Sequence, residues 1–202
     1  MIKDWSVPPE WAGERCFIIG GGPSFDPRVI PKLKGRIIAV NAAGFYAEHA
    51  DVMFWADQRF LRWNVNDMKY FLGKYLIARH PPFEIGTKGL DIKRLRREPE
   101  FGLSTNPRLL RGLCSGSAAI NLAFLFGATE IVLLGFDMQP VAGADNFHAM
   151  HKVKTASRNY DNFMAHFPPM AKSLADRGIA VHNTSRGSRL TCFPKTNIEE
   201  FL

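Results

Sequence analysis

Cysteine is scarce in this chain, with Cys16, Cys114 and Cys192 the only three among 202 residues and no C-x-x-C pair between them. An odd, unspaced set of this kind argues against a disulfide framework and a thiolate zinc cage, and suits a reducing compartment. A secretory leader is missing too: Met1 reaches Pro8 and Pro9 through Lys3, Asp4 and Trp5 with no apolar core segment between. The longest apolar stretch, from Ala118 to Phe136, is divided by Gly127, Thr129 and Glu130 into a helix-length and a strand-length piece, neither long enough for a bilayer. These absences predict a cytoplasmic protein. No internal repeat or low-complexity tract is present.

A hydrophobic content of 46% over 202 residues is enough for one sizeable core, and predicts a single domain over 1–202. The formal net charge of +7 favours anionic partners, whether nucleotide phosphates, nucleic acid or acidic glycans. Short apolar runs at Arg15 to Gly20, Arg36 to Asn41, Asp51 to Ala56, Tyr75 to Arg79 and Ile131 to Leu134, with a last one from Gly178 to His182, read as buried strands. Helical segments follow several of them: one capped by Ser115 or Ser117 and ending at Gly127, and one over about Ala156 to Arg177. Strands alternating with helices predict an α/β, Rossmann-like, mostly parallel sheet with helices on both faces. The segment 81–110, rich in Pro, Gly and basic residues, reads as an insertion or lid, with a solvated basic loop as the alternative.

Two glycine-bearing turns carry the chemistry. The strand Cys16-Phe-Ile-Ile stops at Gly20, Gly21 and Gly22, followed by Pro23 and Ser24, where free amides can meet an anion at a strand's carboxyl end. The spacing lacks the third glycine of G-x-G-x-x-G, so this is no ordinary dinucleotide loop. Cys114-Ser-Gly-Ser117 opens the second turn, and Glu130 to Leu134 leads into Gly135-Phe-Asp137. Asp57, Asp137 and Asp145-x-x-His148-x-x-His151 offer oxygen and nitrogen ligands for a divalent ion, but a metal-free site is the preferred reading because Asp137 and Asp145 also suit turn caps. Basic residues interleaved with aromatics or leucine, at Asp57 to Trp63 and Lys93 to Arg97, resemble polyanion-binding surfaces or the solvated face of an amphipathic helix.

In order and spacing, Gly20-Gly-Gly-Pro-Ser24, Asn41, Cys114-Ser-Gly116 and Gly127-Ala-Thr-Glu-Ile-Val-Leu-Leu-Gly-Phe-Asp137 resemble the bacterial sialyltransferases. A wider group shares the pattern, including archaeal hydroxymethyldihydropterin diphosphokinase-like proteins and many phage and prophage reading frames, to which this compact chain is most similar. The resemblance implies that Gly20 to Ser24 line the nucleotide phosphate and sugar, that Asn41 contacts the nucleotide or the transferred group, and that Ser115 and Gly116 hold the donor from the other side. Asp57 and Asp137 join this donor set. The stretch Asn183-x-Ser185-x-x-Ser188 is similar to the family's donor-contacting segment. His151, with His148 beside it, matches the family's general base, a role that suits an imidazole titrating near neutrality. The family's phosphate-stabilising tyrosines are absent from Met138 to Gly143, and Lys152 and Lys154 are the cationic substitutes.

These readings predict a nucleotide-binding transferase, foremost a glycosyltransferase using a nucleotide-activated sugar and no required cofactor. The alternatives are a diphosphokinase-like phosphotransferase using a nucleoside triphosphate with magnesium, and a non-catalytic phage protein that binds nucleotides or nucleic acid. A phage origin would place the protein in its host's cytoplasm. The acceptor, a glycan, a modified DNA base or a small molecule, is left open.

Overall fold

The computed structural model describes residues 2–79, 87–150 and 157–202. Its centre is an open parallel sheet built from β1 (Ile2–Asp4), β2 (Arg15–Ile19), β3 (Arg36–Val40), β4 (Val52–Trp55), β5 (Tyr75–Arg79), β6 (Ile92–Arg97), β8 (Glu130–Leu134) and β9 (Ala180–Asn183), with the two-residue β7 (Leu109–Leu110) beside the end of β6. Strand order is β1-β6-β5-β4-β3-β2-β8-β9. The chain therefore runs outward from β2 through β6, then returns to lay β8 on the other side of β2. That reversal opens a crevice at the carboxyl ends of β2 and β8, the place where sheets of this kind bind ligands.

Alternation along each strand divides the core between the two faces. Cys16 and Ile18 of β2, with Ile131 and Leu133 of β8, pack against α2 (Ser115–Phe126) and α4 (Phe167–Ala175). Phe17 and Ile19, with Val132 and Leu134, face the 3₁₀ helix Pro27–Lys32 and the C-terminal Phe201. Farther along that second face, Met53, Trp55 and Ala78 meet Phe60 and Leu61 of α1 (Gln58–Asn64). Strands covered on both faces need apolar side chains in both directions, which is why they read as unbroken apolar runs. Among the described residues no helix is long and apolar enough to cross a membrane.

Two expectations change. The segment 81–110 contains β6, which lies inside the sheet between β1 and β5, and β7, so its described part builds sheet rather than lid. Only Ile92 and Leu95 of β6 are fully buried, and the intervening basic residues hide the strand's period. The single helix expected over 156–177 is two, α3 (Ser157–Met164) and α4, separated at His166. Pro168 and Pro169 lie in the first turn of α4, where they need no amide partner but would break a helix continuing from α3.

Helix α2 crosses the sheet almost wholly buried. It begins at Cys114, whose Sγ accepts the Ser117 amide at 3.4 Å while Ser117 Oγ accepts the Cys114 amide at 3.2 Å, and it ends at Gly127 in the left-handed region, φ 97°. Its last residue, Phe126, stacks on Trp11 with ring centroids 3.9 Å apart, and its carbonyl accepts the Trp11 amide at 2.8 Å. Truncating a fully buried ring leaves a cavity as well as losing transfer energy. Phe126→Ala is expected to lower stability by about 3–5 kcal/mol, read as a shift of the urea midpoint at unchanged m-value.

Candidate functional site

A cleft of about 770 Å³ opens at the carboxyl ends of the strands, lined by Gly20, Gly21 and Gly22, by Asn41 and Asp57, by Cys114, Ser115 and Gly116, and by Asp137. The two glycine-bearing turns, the second of them the start of α2, thus share one cleft, as their spacing predicts. Pro23 and Ser24 are not part of its lining, and Asn183 and Ser185 are fully buried beneath it.

The amides of the first turn are largely engaged within the protein. Gly20 N–H donates to the Leu134 carbonyl at 2.8 Å and Gly22 N–H to the Gly135 carbonyl at 2.8 Å. Ser24 donates its amide and hydroxyl to Asp137 Oδ2 at 3.2 and 2.9 Å. This corrects the expectation of a cradle running from Gly20 to Ser24. Gly21 N–H alone is without a partner among the described residues. The glycines at 20 and 22 answer to packing: a Cβ at Gly20 would lie 2.7 Å from the Gly135 carbonyl oxygen, and one at Gly22 would lie 2.5 Å from that oxygen and 2.0 Å from Asp137 Oδ2. At Gly21 the nearest atom would be Asn146 Oδ1, the end of a side chain able to move.

Asp137 ties the crevice together. Its Oδ2 holds Ser24, whose Oγ in turn accepts the Ser185 hydroxyl at 2.8 Å, and Ser185 Oγ accepts the Phe136 amide at 2.9 Å. Ser185 N–H in turn donates to Asn183 Oδ1 at 3.1 Å, and Ser188 Oγ donates to the Phe136 carbonyl at 2.5 Å. Asn183, Ser185 and Ser188 therefore position the turns from below, which corrects their reading as donor contacts; a buried hydroxyl or amide bonds to backbone because water cannot reach it. Asp137 Oδ1 has no partner among the described residues, and burial pushes the carboxyl's pKa up against the opposing pull of the Ser24 hydrogen bonds.

Around the cleft, Asp57 caps α1 by accepting the Arg59 amide at 2.9 Å and pairs with the Arg59 guanidinium at 2.6 Å, so its carboxylate is engaged on the rim. Asn41 adopts φ 53°, a left-handed conformation that asparagine tolerates, and its buried Oδ1 has no partner among the described residues. His148 lines the cleft beside Tyr46 and Phe147; its Nδ1 accepts the Met150 amide at 3.2 Å, which leaves the neutral ring's proton on Nε2. His151, Lys152 and Lys154 lie outside the described residues. Among the described residues no three His, Cys, Asp or Glu side chains converge on a common point that would hold a metal.

Arg59 and Trp63, read from the sequence as part of a polyanion-binding or amphipathic stretch, line the cleft, and so do Arg79, Asn146 and Tyr160, which the sequence reading did not assign to the site. Arg79 is 6% exposed at the end of β5, donating to the Gly112 and Leu113 carbonyls just ahead of α2. Burial draws its pKa down to about 10. An arginine ending a strand reads as surface charge, so nothing in the sequence separates it from its exposed neighbours.

No family model matches the chain, and no curated protein sequence is significantly similar to it. Solved structures are. The MAf glycosyltransferase from Magnetospirillum magneticum AMB-1 aligns over 98% of this chain and 36% of its own at 17% identity, with a TM-score of 0.65. The sialyltransferase CstII from Campylobacter jejuni, in complex with cytidine-5'-monophosphate, aligns over 91% of this chain and 85% of its own at 13% identity and a TM-score of 0.55. The same sialyltransferase with a trisaccharide acceptor and CMP gives 14% identity and 0.52. The chain spans about a third of the length of the MAf enzyme. At these identities the likeness establishes the fold: the Rossmann-like sheet of this chain is one that glycosyltransferases use.

The packing separates the two central glycines. Gly22→Val should lower stability by about 3 kcal/mol or more, since backbone oxygen stands where the new carbons must go, whereas Gly21→Val should keep a near-native midpoint in urea denaturation. Asp137 gives a pH signature. Its folded pKa exceeds the unfolded value near 3.9, so the native state binds the extra proton between the two values and stability falls as pH rises through that window. Asp137→Asn should lack this component when midpoints are compared from about pH 4 upward.

Proposed function

We propose that the protein is a transferase acting on a nucleotide-activated donor, in the first place a glycosyltransferase using a nucleotide sugar. One observation carries this reading: the glycine turn after β2 and the amino end of α2 face one cleft at the sheet's switch point, on a fold whose solved neighbours include a CMP-bound sialyltransferase. The Gly21 amide, without a partner among the described residues, and the first amides of α2, at Ser115 and Gly116, supply donors for the phosphate, reinforced by the helix dipole. Asn41 and Asp57 line the same cleft for the rest of the donor.

In the reaction, an acceptor hydroxyl loses its proton to a histidine, its oxygen attacks the anomeric carbon, and the bond from that carbon to the phosphate oxygen breaks to release the nucleotide. His151 is the proposed base. His148, with Nδ1 engaged by the Met150 amide, suits the role of a donor that steadies the leaving phosphate. Lys152 and Lys154 are the proposed cationic partners of that phosphate.

A thermal-shift panel of nucleotides and nucleotide sugars, with and without magnesium, tests the reading. A ligand at a hundred times its dissociation constant should stabilise the protein by about 2.7 kcal/mol. Nucleotide-sugar stabilisation without magnesium is the expected outcome, and the effect should vanish in Gly21→Val; triphosphate binding that needs magnesium would move the assignment to a phosphotransferase. With a donor in hand, His151→Ala should reduce kcat by about a hundredfold or more at nearly unchanged donor affinity, and should abolish the rate limb near the histidine pKa. His148→Ala should cost less in kcat. Full turnover in His151→Ala would falsify its role as base.

A further inference from the structure

Arg79 is a buried guanidinium facing a cleft, and no carboxylate neutralises it among the described residues. Its two bonded carbonyls, of Gly112 and Leu113, are neutral acceptors and use only part of a five-donor group. Arg97, exposed at the end of the neighbouring β6, has no side-chain hydrogen bond or ion pair among the described residues. The acids close in sequence do not serve either arginine, because Arg111 takes both: Glu98 at 2.6 Å and Glu100 at 2.5 Å. A third group joins them. His166, the residue before α4, is 9% exposed and stacks on Phe101 at 4.4 Å, and its buried Nδ1 has no partner among the described residues.

These three side chains repel one another. Burial and the charges of Arg97 and Arg79 hold the His166 pKa below its usual value, and burial depresses Arg79, with the neighbouring Cys114 opposing and Arg97 adding to it. Buried cations persist when something compensates them, and a cluster of donors with no acid is completed by an anion. We propose that Arg79, Arg97 and His166 form a subsite for an oxyanion, a carboxylate or phosphate, carried by the acceptor. The inference deepens the transferase reading and rests on it for the word acceptor.

Position distinguishes this subsite from the donor's phosphate. The glycine turn follows β2 and Arg79 ends β5, three strands away, roughly 14 Å between backbones at ordinary strand spacing, and the Arg79 guanidinium lies on the far wall, against the carbonyls just ahead of α2. Arg97 lies one strand farther out and reaches solvent. An acidic group entering from that side meets Arg97 first and ends against Arg79 in the cleft wall, while the donor occupies the switch point.

Inorganic phosphate is the probe, titrated calorimetrically into the whole protein at constant ionic strength. The native protein should bind it saturably, with about tenfold weaker affinity in Arg97→Gln and no measurable binding in Arg79→Gln, the loss expected when a charged hydrogen-bonding partner goes. Gly21→Val should bind phosphate as the native protein does, and so should native protein saturated with the best nucleotide from the panel. Unchanged affinity in Arg97→Gln, or absence of saturable binding to the native protein, would overturn the proposal. Displacement of the phosphate by the nucleotide would also overturn it, by returning the anion to the donor. Arg97 is exposed, so its variant carries the test even where Arg79→Gln fails to fold. Arg97-dependent phosphate binding in a protein that binds no nucleotide would support the subsite while removing the transferase reading.

Discussion

One buried carboxylate holds the site in its shape. Asp137 stands at the carboxyl end of β8 and fastens the turn after β2 through Ser24, while Ser24 reaches on to Ser185 beyond β9. Three consecutive strands of the sheet, β2, β8 and β9, are thereby joined at one end by side chains as well as by their ladders. A carboxylate so placed is costly in the absence of its donors, and its raised pKa records that cost. The Ser24 amide and hydroxyl, both donating to Oδ2, offset part of it.

The glycines belong to the same constraint. Gly135, at φ 67°, turns the chain so that its carbonyl meets the Gly22 amide, and a side chain there would come within 3.1 Å of Gly22 N and O. A glycine-rich turn is commonly taken as room for a ligand's phosphate. Here two of its three glycines make room for another turn, and only the middle one keeps an amide without a partner among the described residues. On the opposite side Gly116 has a comparable duty, since a Cβ there would lie 2.9 Å from the Phe136 ring.

Much of the sheet was legible because its strands are covered on both faces: β2, β3, β4, β5 and β8 show as apolar runs with sharp ends. β6 was not, since Lys93, Arg94, Arg96 and Arg97 alternate with only two buried positions, a spacing that fits a solvated helix face equally well. The break between α3 and α4 was in principle readable from Pro168 and Pro169. For the site, the glycine turn, Asn41, the start of α2 and Asp137 could be read from their places at strand ends. What could not be read was which polar residues face inward. Asn183 and Ser185 look like contact residues because polarity in sequence carries no sign of depth, and Arg79 looks like surface for the same reason.

The joined turns also determine how this end of the molecule opens. The amides of Gly20, Gly22 and Phe136 and that of Arg189, which donates to the Asp137 carbonyl at 3.0 Å, are each bonded across different segments. Those of Gly20 and Gly22 join the turn after β2 to the end of β8, and those of Phe136 and Arg189 join the end of β8 to the loop after β9. Exchange of the Gly20 amide with solvent deuterium is therefore expected to follow separation of β2 from β8, while the amides of Phe136 and Arg189 can open with the loop after β9. The base of the cleft is thus tied into the sheet by bonds between segments, while its opposing wall is the start of one helix.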